Sequence, residues 1–287
     1  MDRKAIARET LDIMEKGYYE AGGQKIEIMA LQEYSLQKSF LLTPEQRKEL
    51  LKSCSSHSGC TASGETVPEH TASGQSASRI FKVQNCSTVD AILALASEGK
   101  KAIAVLNFAS AKNPGGGFIN GAMAQEESLA ASSSLYKTLI AHEAYYKKNR
   151  ACGTMMYTHH AIYSPEVPFF RDGRFRLLPA PVTASVLTLP AVNMGQVRLR
   201  RESIPQAEQV MRERMELALA IFAGQNCRHL ILGAYGCGVF RNDPEQIAQW
   251  WKELLTESFP ESFETVVFAI LDRSATLSAI APFQKLF

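Results

Sequence analysis

The sequence lacks three features that would place a chain in a specialised class at once. It has no apolar run near the ~20 residues needed to cross a bilayer, and the run at Val266–Leu271 is far too short. Neither charge is in excess, since 31 Lys and Arg stand against 29 Asp and Glu, for a net charge of +2. A protein that binds nucleic-acid phosphates normally carries a basic excess. These absences predict no membrane partner and no direct DNA binding.

Cysteines are few and follow no framework pattern. The six cysteines are scattered over 287 residues, and a chain of this length can bury a core without disulfides. The first residues run into a charged helical pattern without the apolar segment of a secretory signal. We therefore expect reduced thiols and a cytoplasmic protein.

A segment with almost no apolar residues separates two parts of the chain. Residues 53–78 are rich in Ser, Thr, Gly and Ala and contain Thr-Ala-Ser-Gly twice, which is typical of a flexible insertion. Cys54, His57, Cys60 and His70 in this segment are residue types that bind zinc. Zinc ligands are normally paired more regularly, so the linker interpretation is favoured.

Helical and strand-like patterns alternate after the insertion. Hydrophobic residues make up 46% of the chain, as in an ordinary globular protein. Before the insertion, residues 2–20 have helical spacing, Ile26–Ile28 has a strand pattern, and Thr43 and Pro44 can begin a second helix. The alternation predicts an α/β domain with a largely parallel or mixed sheet. Ligands of open α/β sheets bind beyond the carboxyl ends of the strands. The candidate strands are 80–83, 102–108, 155–163, 185–189, 229–232 and 265–271, and the candidate helices are 89–96, 126–140, 205–223 and 244–257.

The loop after the second of these strands is the most informative stretch. Gly115, Gly116 and Gly117 follow Asn113 and Pro114. Without Cβ atoms the backbone can approach a ligand closely, and successive N–H groups can bind an anion. A tight surface turn is the alternative interpretation.

Gln125, Glu126 and Glu127 follow this loop at the start of a predicted helix. They could simply be acidic residues that stabilise the start of a helix through its dipole. Adjacent helix residues point about 100° apart, so the two carboxyl groups cannot flank one bond as a glycosidase pair does. If the site is catalytic, one carboxyl is the acid and the other holds a neighbouring hydroxyl. A nearby diphosphate would then raise the pKa of the acid.

A second glycine loop, Gly233–Pro244, follows the strand at 229–232. It satisfies neither the dinucleotide fingerprint nor the Walker A pattern. Cys237 is interpreted as a small tolerated side chain rather than a nucleophile, because no histidine is placed as its base. Phe240 is either core or the cover of a ribose. His142, His159, His160 and His229 match no metal spacing.

Together these segments resemble the microbial-type poly(ADP-ribose) glycohydrolases, a branch of the macrodomain superfamily. The resemblance rests on 113–117, on 125–127 and on 236–244, and extends over most of the chain outside 53–78. It implies an α/β fold: a macrodomain-like mixed sheet flanked by helices, with an N-terminal helical accessory region. The implied division is an accessory region at 1–52 packed on the core, the flexible insertion at 53–78, and a catalytic domain at 79–287.

The implied reaction is hydrolysis of the ribose–ribose O-glycosidic bond of poly(ADP-ribose), which releases ADP-ribose. By this resemblance Glu127 is the general acid and Glu126 orients ribose hydroxyls. No metal and no cofactor are implied, and the partners are poly(ADP-ribose) or ADP-ribosylated proteins. The implied ligand-binding residues are Asn113, Gly115, Gly116, Gly117, Asn120, Gln125, Gly236, Cys237, Gly238, Val239 and Phe240.

Two other functions compete with this one. A non-catalytic ADP-ribose reader would use the same two loops, although an acidic residue at 127 argues against it. A mono-ADP-ribosyl hydrolase would cleave a different bond. Arg198, Arg200 and Arg201 form a basic run that is either a solvated surface or a contact for further polymer phosphates.

Overall fold

Residues 2–47 and 79–287 are described by the computed structural model, and a seven-stranded mixed sheet is their centre. The strand order is β3-β6-β7-β5-β8-β9-β4. A separate two-stranded sheet joins β1 and β2. The strands are β1 (Tyr18–Ala21), β2 (Gln24–Glu27), β3 (Phe40–Leu42), β4 (Ile80–Gln84), β5 (Ile103–Phe108), β6 (Ala161–Arg171), β7 (Leu177–Leu189), β8 (His229–Leu232) and β9 (Thr265–Ala269).

Helices cover both faces of the large sheet. Side chains alternate across β5, so that Ala104 and Leu106 pack in one core cluster while Ile103 and Val105 pack in the other. The result is a mixed sheet flanked by helices, as the resemblance implied. The helices are α1 (Arg3–Lys16), α2 (Met29–Lys38), α3 (Thr88–Ser97), α4 (Gln125–Ser132), α5 (Leu135–Ala141), α6 (Glu143–Ala151), α7 (Met194–Leu199), α8 (Ile204–Gly224), α9 (Pro244–Glu253) and α10 (Ala281–Leu286).

Five neighbouring strands run in the same direction. β7, β5, β8, β9 and β4 pair in parallel, so their carboxyl ends lie along one edge of the sheet. The loops that follow them, including both glycine loops, therefore meet at that edge. None of the helices in the described ranges combines the length and the apolar composition needed to span a membrane.

The described amino-terminal part packs on the helices next to the sheet. α1 ends at Gly17, whose φ of 74° is left-handed. Thr10 donates a buried hydrogen bond of 2.8 Å to the carbonyl of Ala131, and Arg171 pairs with Glu9 at 2.6 Å. The three-part division at 52 and 78 stays a prediction, because residues 48–78, including the zinc candidates, lie outside the described residues.

One helix was predicted over 126–140, and this prediction is wrong. The segment is two helices, α4 and α5, separated at Ser133, which is extended with φ −150°. Ser133 forms a β-bridge with Phe169, and the N–H of Ser134 donates to Pro168 at 3.1 Å. The edge of β6 captures the backbone, a distant contact that helical periodicity does not reveal.

The strand boundaries also differ from the predictions. The strand predicted at 155–163 begins only at Ala161 and continues to Arg171. The predicted first helix stops at Lys16, and Tyr18–Ala21 is instead a strand of a hairpin. A helix does begin after Thr43, with residues 44–47 helical. Short apolar runs fit both strand and loop, so local pattern alone does not define their ends.

A buried arginine joins α8 to the edge of the sheet where the loops meet. The side chain of Arg214 is fully buried. It donates hydrogen bonds of 2.8 Å to the carbonyls of Pro190 and Met156. Both carbonyls belong to loops, so Arg214 supplies donors that no secondary structure provides there.

We predict that Arg214→Met destabilises the fold. Two buried carbonyls would lose their donors, which should lower the free energy of unfolding by roughly 2–4 kcal/mol. Urea denaturation measures this. The matched control is Arg212→Met on the same helix, where an exposed pair with Glu253 should contribute at most about 1 kcal/mol. Equal losses in both variants would contradict the prediction.

Candidate active site

A cavity of about 800 Å³ lies at the carboxyl ends of the parallel strands. Its volume suits a nucleotide-sized ligand. Gln125, Cys237 and Gly238 are the predicted site residues that line it. The loops after β4, β5, β8 and β9 all contribute to its wall, with side chains or backbone from Cys86, Ser87, Thr88, Phe108, Ala234, Ala269, Ile270 and Leu271.

The triple glycine lies against the start of α4. Gly115 and Gly116 have left-handed φ values of 64° and 60°, and Gly116 N–H donates to the carbonyl of Asn113 at 3.0 Å. A Cβ added at Gly116 would overlap Oε1 of Glu127. These glycines are therefore required for the loop to approach a carboxylate as well as for its turn.

Three consecutive side chains hold this loop to the helix start. Gln125 Oε1 accepts from Phe108 N–H at 2.8 Å, Glu126 Oε2 accepts from Ser110 N–H at 2.6 Å, and Glu127 Oε1 accepts from Gly117 N–H at 3.0 Å. Buried backbone N–H groups need partners, and here successive residues of α4 supply them.

Gln125 also ties α4 to the sheet. Its Nε2 donates to the carbonyl of Leu106 at 2.8 Å. Both ends of the amide are thus engaged by the backbone of β5, while the side chain still lines the cavity. The contact gives Gln125 a structural role that the sequence pattern did not reveal.

Glu127 is half-buried and held by two backbone donors. Besides Gly117, the N–H of Ala124 donates to its Oε2 at 3.0 Å. Ala124 also lines the cavity. The two donors fix the direction of the carboxyl group, although Glu127 itself is not among the residues that line the cavity.

Glu126 is buried, with only 3% of its surface exposed. Asn107 Nδ2 lies 3.4 Å from its Oε1 and 3.1 Å from Thr188 Oγ1. Asn107 and Thr188 are register partners on β5 and β7 and are fully buried. This polar pair under Glu126 was missed, because each residue is a single interruption of an apolar strand.

Burial raises the pKa of Glu126 to about 8, and the neighbouring Glu127 raises it further in the same direction. The hydrogen bond from Ser110 N–H opposes this shift. At neutral pH the Glu126 carboxyl group therefore holds a proton.

The second glycine loop is fixed by Asn242. Its Nδ2 donates to the carbonyls of Val192 at 2.8 Å and Gly236 at 3.0 Å. Gly236 has a φ of 74°, and a Cβ there would lie 2.6 Å from that of Ala191. The loop therefore packs tightly on the segment after β7.

The other residues predicted in this loop differ in their surroundings. Burial raises the pKa of the Cys237 thiol far above its ordinary range, which agrees with its interpretation as non-nucleophilic. Val239 is 83% exposed. The ring of Phe240 lies 6.1 Å from that of Tyr157, a residue that the sequence analysis did not select.

Asn113 and Asn120 are exposed on the first glycine loop. Further residues line the cavity but were not predicted, among them Arg3, Arg174 and Arg273. They come from segments far apart in sequence, so no local motif identifies them. Within 2–47 and 79–287, no group of three metal-binding side chains is assembled.

A family model and several solved structures match this chain. A family model described as the catalytic domain of microbial-type poly(ADP-ribose) glycohydrolase matches residues 7–172. No curated protein matched the sequence.

Solved structures match over nearly the whole chain. A poly(ADP-ribose) glycohydrolase from Thermomonospora curvata is 36% identical, with 99% of each chain covered and a TM-score of 0.88. The same enzyme bound to the inhibitor ADP-HPD matches at 35% identity, 99% coverage of each chain and a TM-score of 0.87. A poly(ADP-ribose) glycohydrolase from Deinococcus radiodurans in complex with ADP-ribose is 40% identical, over 88% of this chain and 96% of that chain, with a TM-score of 0.78.

The raised pKa of Glu126 predicts a pH-dependent stability. An unfolded glutamate ionises near 4.5, whereas the folded one ionises near 8. The unfolded state therefore binds fewer protons between these values, so the contribution of Glu126 to stability is fully present below pH 4.5 and is lost as pH rises towards 8. Glu126→Gln removes this loss, and its stability relative to wild type should increase by roughly 3 kcal/mol from pH 5 to pH 8.

Urea denaturation at the two pH values measures the difference. Glu143→Gln is the control, because Glu143 is exposed and paired with Lys147. If the Glu126→Gln difference is as flat with pH as that of the control, Glu126 does not titrate as stated.

Proposed function

The chain belongs to the microbial-type poly(ADP-ribose) glycohydrolases, and from its site geometry we propose that Glu127 is the general acid of the reaction. As a member of this family the protein is a glycosidase that hydrolyses the ribose–ribose bond of poly(ADP-ribose) and binds ADP-ribose. The observation that carries the assignment is the contrast between two adjacent carboxyl groups, one half-buried and aimed by two N–H groups, the other enclosed.

The acid must reach the bond that breaks. Glu127 is half-buried, and although it does not itself line the cavity, Ala124 and Ser128 on either side of it do. Glu126 is 3% exposed and surrounded by protein donors. A proton donor acts within hydrogen-bond distance of the leaving oxygen. This favours Glu127 over Glu126, although Glu126 is the group whose pKa is raised.

The proposed reaction has two steps. Glu127 gives its proton to the 2′ oxygen of the leaving unit as the bond from this oxygen to C1″ of the distal ribose breaks, which leaves an oxocarbenium-like sugar. Water then adds to C1″ and returns a proton to the Glu127 carboxylate, so that the acid is regenerated. The N–H groups of Gly117 and Ala124 stabilise the carboxylate in between.

Glu126 is proposed to orient the distal ribose. A carboxyl group that keeps its proton at neutral pH can donate to one sugar hydroxyl and accept from another. Asn107 and Ser110 hold it in place from the protein side. A fixed ribose keeps C1″ within reach of Glu127.

The two glycine loops are proposed to hold the diphosphate and the distal ribose. The N–H groups of Gly236 and Gly238 form no hydrogen bond within the described residues and can act as uncharged donors to phosphate oxygens. On the first loop the N–H groups of Gly116 and Gly117 are already engaged, and the missing Cβ atoms of Gly115–Gly117 let a ligand lie against the backbone. Asn113, Asn120 and Gln125 are proposed polar neighbours on the first loop. On the second loop, Cys237 and Val239 flank the phosphates, and Phe240 covers the ribose.

ADP-ribose is the proposed product, and poly(ADP-ribose) or ADP-ribosylated proteins are the proposed partners. The reaction as written uses an acid, water and the substrate, so no cofactor enters it. The cytoplasm is the proposed location.

The first test replaces the acid. Glu127→Gln keeps the shape and one acceptor but cannot deliver a proton, so release of ADP-ribose from automodified poly(ADP-ribose) polymerase should fall by ~10³-fold or more. Calorimetric affinity for ADP-ribose should stay within about threefold. Glu143→Gln is the surface control and should keep wild-type turnover.

Two outcomes count against the assignment. Substantial turnover by Glu127→Gln would exclude it as the acid. Binding without turnover by the wild-type protein would favour the reader, and a singly modified substrate would then distinguish the mono-ADP-ribosyl hydrolase.

The second test displaces the acid without removing it. In Gly116→Ala the new methyl group would overlap Glu127 Oε1 at a backbone φ that only glycine adopts easily. A carboxyl shifted by ~1 Å should lower kcat by about 100-fold. Gly153→Ala, at an exposed position with nothing within 4 Å of the added Cβ, is the control, and equal activity of the two variants would refute the close approach.

A further inference from the structure

Three arginines from distant parts of the chain line the cavity. Arg3 begins α1, Arg174 lies in the turn between β6 and β7, and Arg273 follows β9. All three are exposed. We call this set the arginine rim.

The guanidinium groups of the arginine rim have no partner within the described protein. In residues 2–47 and 79–287 none of them forms a salt bridge or a hydrogen bond, although the backbone N–H of Arg174 donates to Asp172 Oδ1 at 2.9 Å. Most other arginines of the chain are engaged. Those in salt bridges are Arg8, Arg47, Arg171, Arg176, Arg212 and Arg228.

The cavity wall contains these three positive charges and no aspartate or glutamate among its lining residues. A concave surface lined by one sign of charge concentrates the field and attracts the opposite charge. The cavity is therefore suited to an anionic ligand with more than one phosphate.

The charge exceeds what one ADP-ribose unit requires. In the proposed site the single diphosphate of the cleaved unit already has the backbone N–H groups of Gly236 and Gly238 as donors and lies against the first glycine loop. Further phosphates come only from the neighbouring unit of a polymer, in which each unit carries its own diphosphate. Guanidinium groups bind such oxygens in pairs of hydrogen bonds.

We propose that the arginine rim binds a phosphate of the ADP-ribose unit next to the one being cleaved. The rim thereby makes the protein prefer polymer to free ADP-ribose. This inference rests on the proposed function, because it presumes that the cleaved unit occupies the glycine loops. It names a subsite outside them and the polymer diphosphate as its ligand.

The test compares two triple variants with the same change in charge. One is Arg3→Gln, Arg174→Gln and Arg273→Gln. The other is Arg198→Gln, Arg200→Gln and Arg201→Gln, exposed residues on or after α7 that do not line the cavity. Glutamine keeps most of the stem length and removes the charge.

Both triples are made with Glu127→Gln, so that substrate persists during binding measurements. Affinities for free ADP-ribose and for protein-free poly(ADP-ribose) of defined length are measured at several salt concentrations. Circular dichroism and thermal unfolding establish that each variant folds.

The rim variant should bind polymer roughly tenfold or more weakly, with a smaller dependence on salt. Its affinity for free ADP-ribose should stay within about threefold, because free ADP-ribose lacks the neighbouring unit whose phosphate the rim contacts, and longer-range effects of exposed charges are screened. The α7 variant should bind polymer within about threefold of its parent, because Arg198, Arg200 and Arg201 do not line the cavity, which favours a solvated surface over a polymer contact for this run.

Three results would overturn the proposal. Equal losses for polymer and free ADP-ribose would mean that the rim holds the cleaved unit itself, for example by stacking on its base. An equal loss of polymer binding in both triples would mean a non-specific charge effect. Unchanged polymer binding would mean that the rim binds no phosphate.

The proposed function is tested separately, by measuring release of ADP-ribose from polymer by protein in which Glu127 is intact. If the wild-type protein binds polymer through the rim but releases no ADP-ribose, the assigned chemistry fails while the subsite stands. If the wild-type protein releases ADP-ribose and the rim variant binds polymer as well as its parent, the assigned chemistry stands and the subsite fails.

Discussion

The site depends on the contact between the first glycine loop and the start of α4. Three consecutive side chains, Gln125, Glu126 and Glu127, each accept one backbone N–H from the segment that follows or ends β5. The contact is possible only because Gly116 has no Cβ. It satisfies the buried donors of an irregular loop and fixes two carboxyl groups at the same time. The conformation of the loop and the positions of the two carboxyl groups therefore depend on each other.

Two adjacent carboxyl groups acquire different properties from their surroundings. Glu126 points into the protein, above the Asn107 and Thr188 pair, and burial keeps its proton on at neutral pH. Glu127 points along the loop and is bound by two N–H groups beside the cavity. A helix turns about 100° between neighbours, so the sequence places the two groups in different environments without separating them.

The amino-terminal part contributes to the cavity as well as to the core. α1 is held by Thr10, which bonds to Ala131 of α4, and by Glu9, which pairs with Arg171 at the end of β6. Arg3 at the start of α1 lines the cavity. The proposed polymer subsite therefore combines α1 with two loops of the main sheet. Because α1 carries Arg3 and is held in place by these contacts, a change that destabilises α1 should also weaken the proposed binding of polymer.

The sequence alone determined the α/β alternation, the family resemblance and the two glycine loops, because these depend on residue types close together in the chain. The family and its glycosidase activity are confirmed, while the individual residue roles stay predictions. Only the tertiary structure decided which glutamate is buried, that Asn107 lies beneath it, and that the predicted helix breaks at Ser133 to pair with Phe169. Each of these results from packing between segments far apart in sequence, and local periodicity carries no information about such contacts.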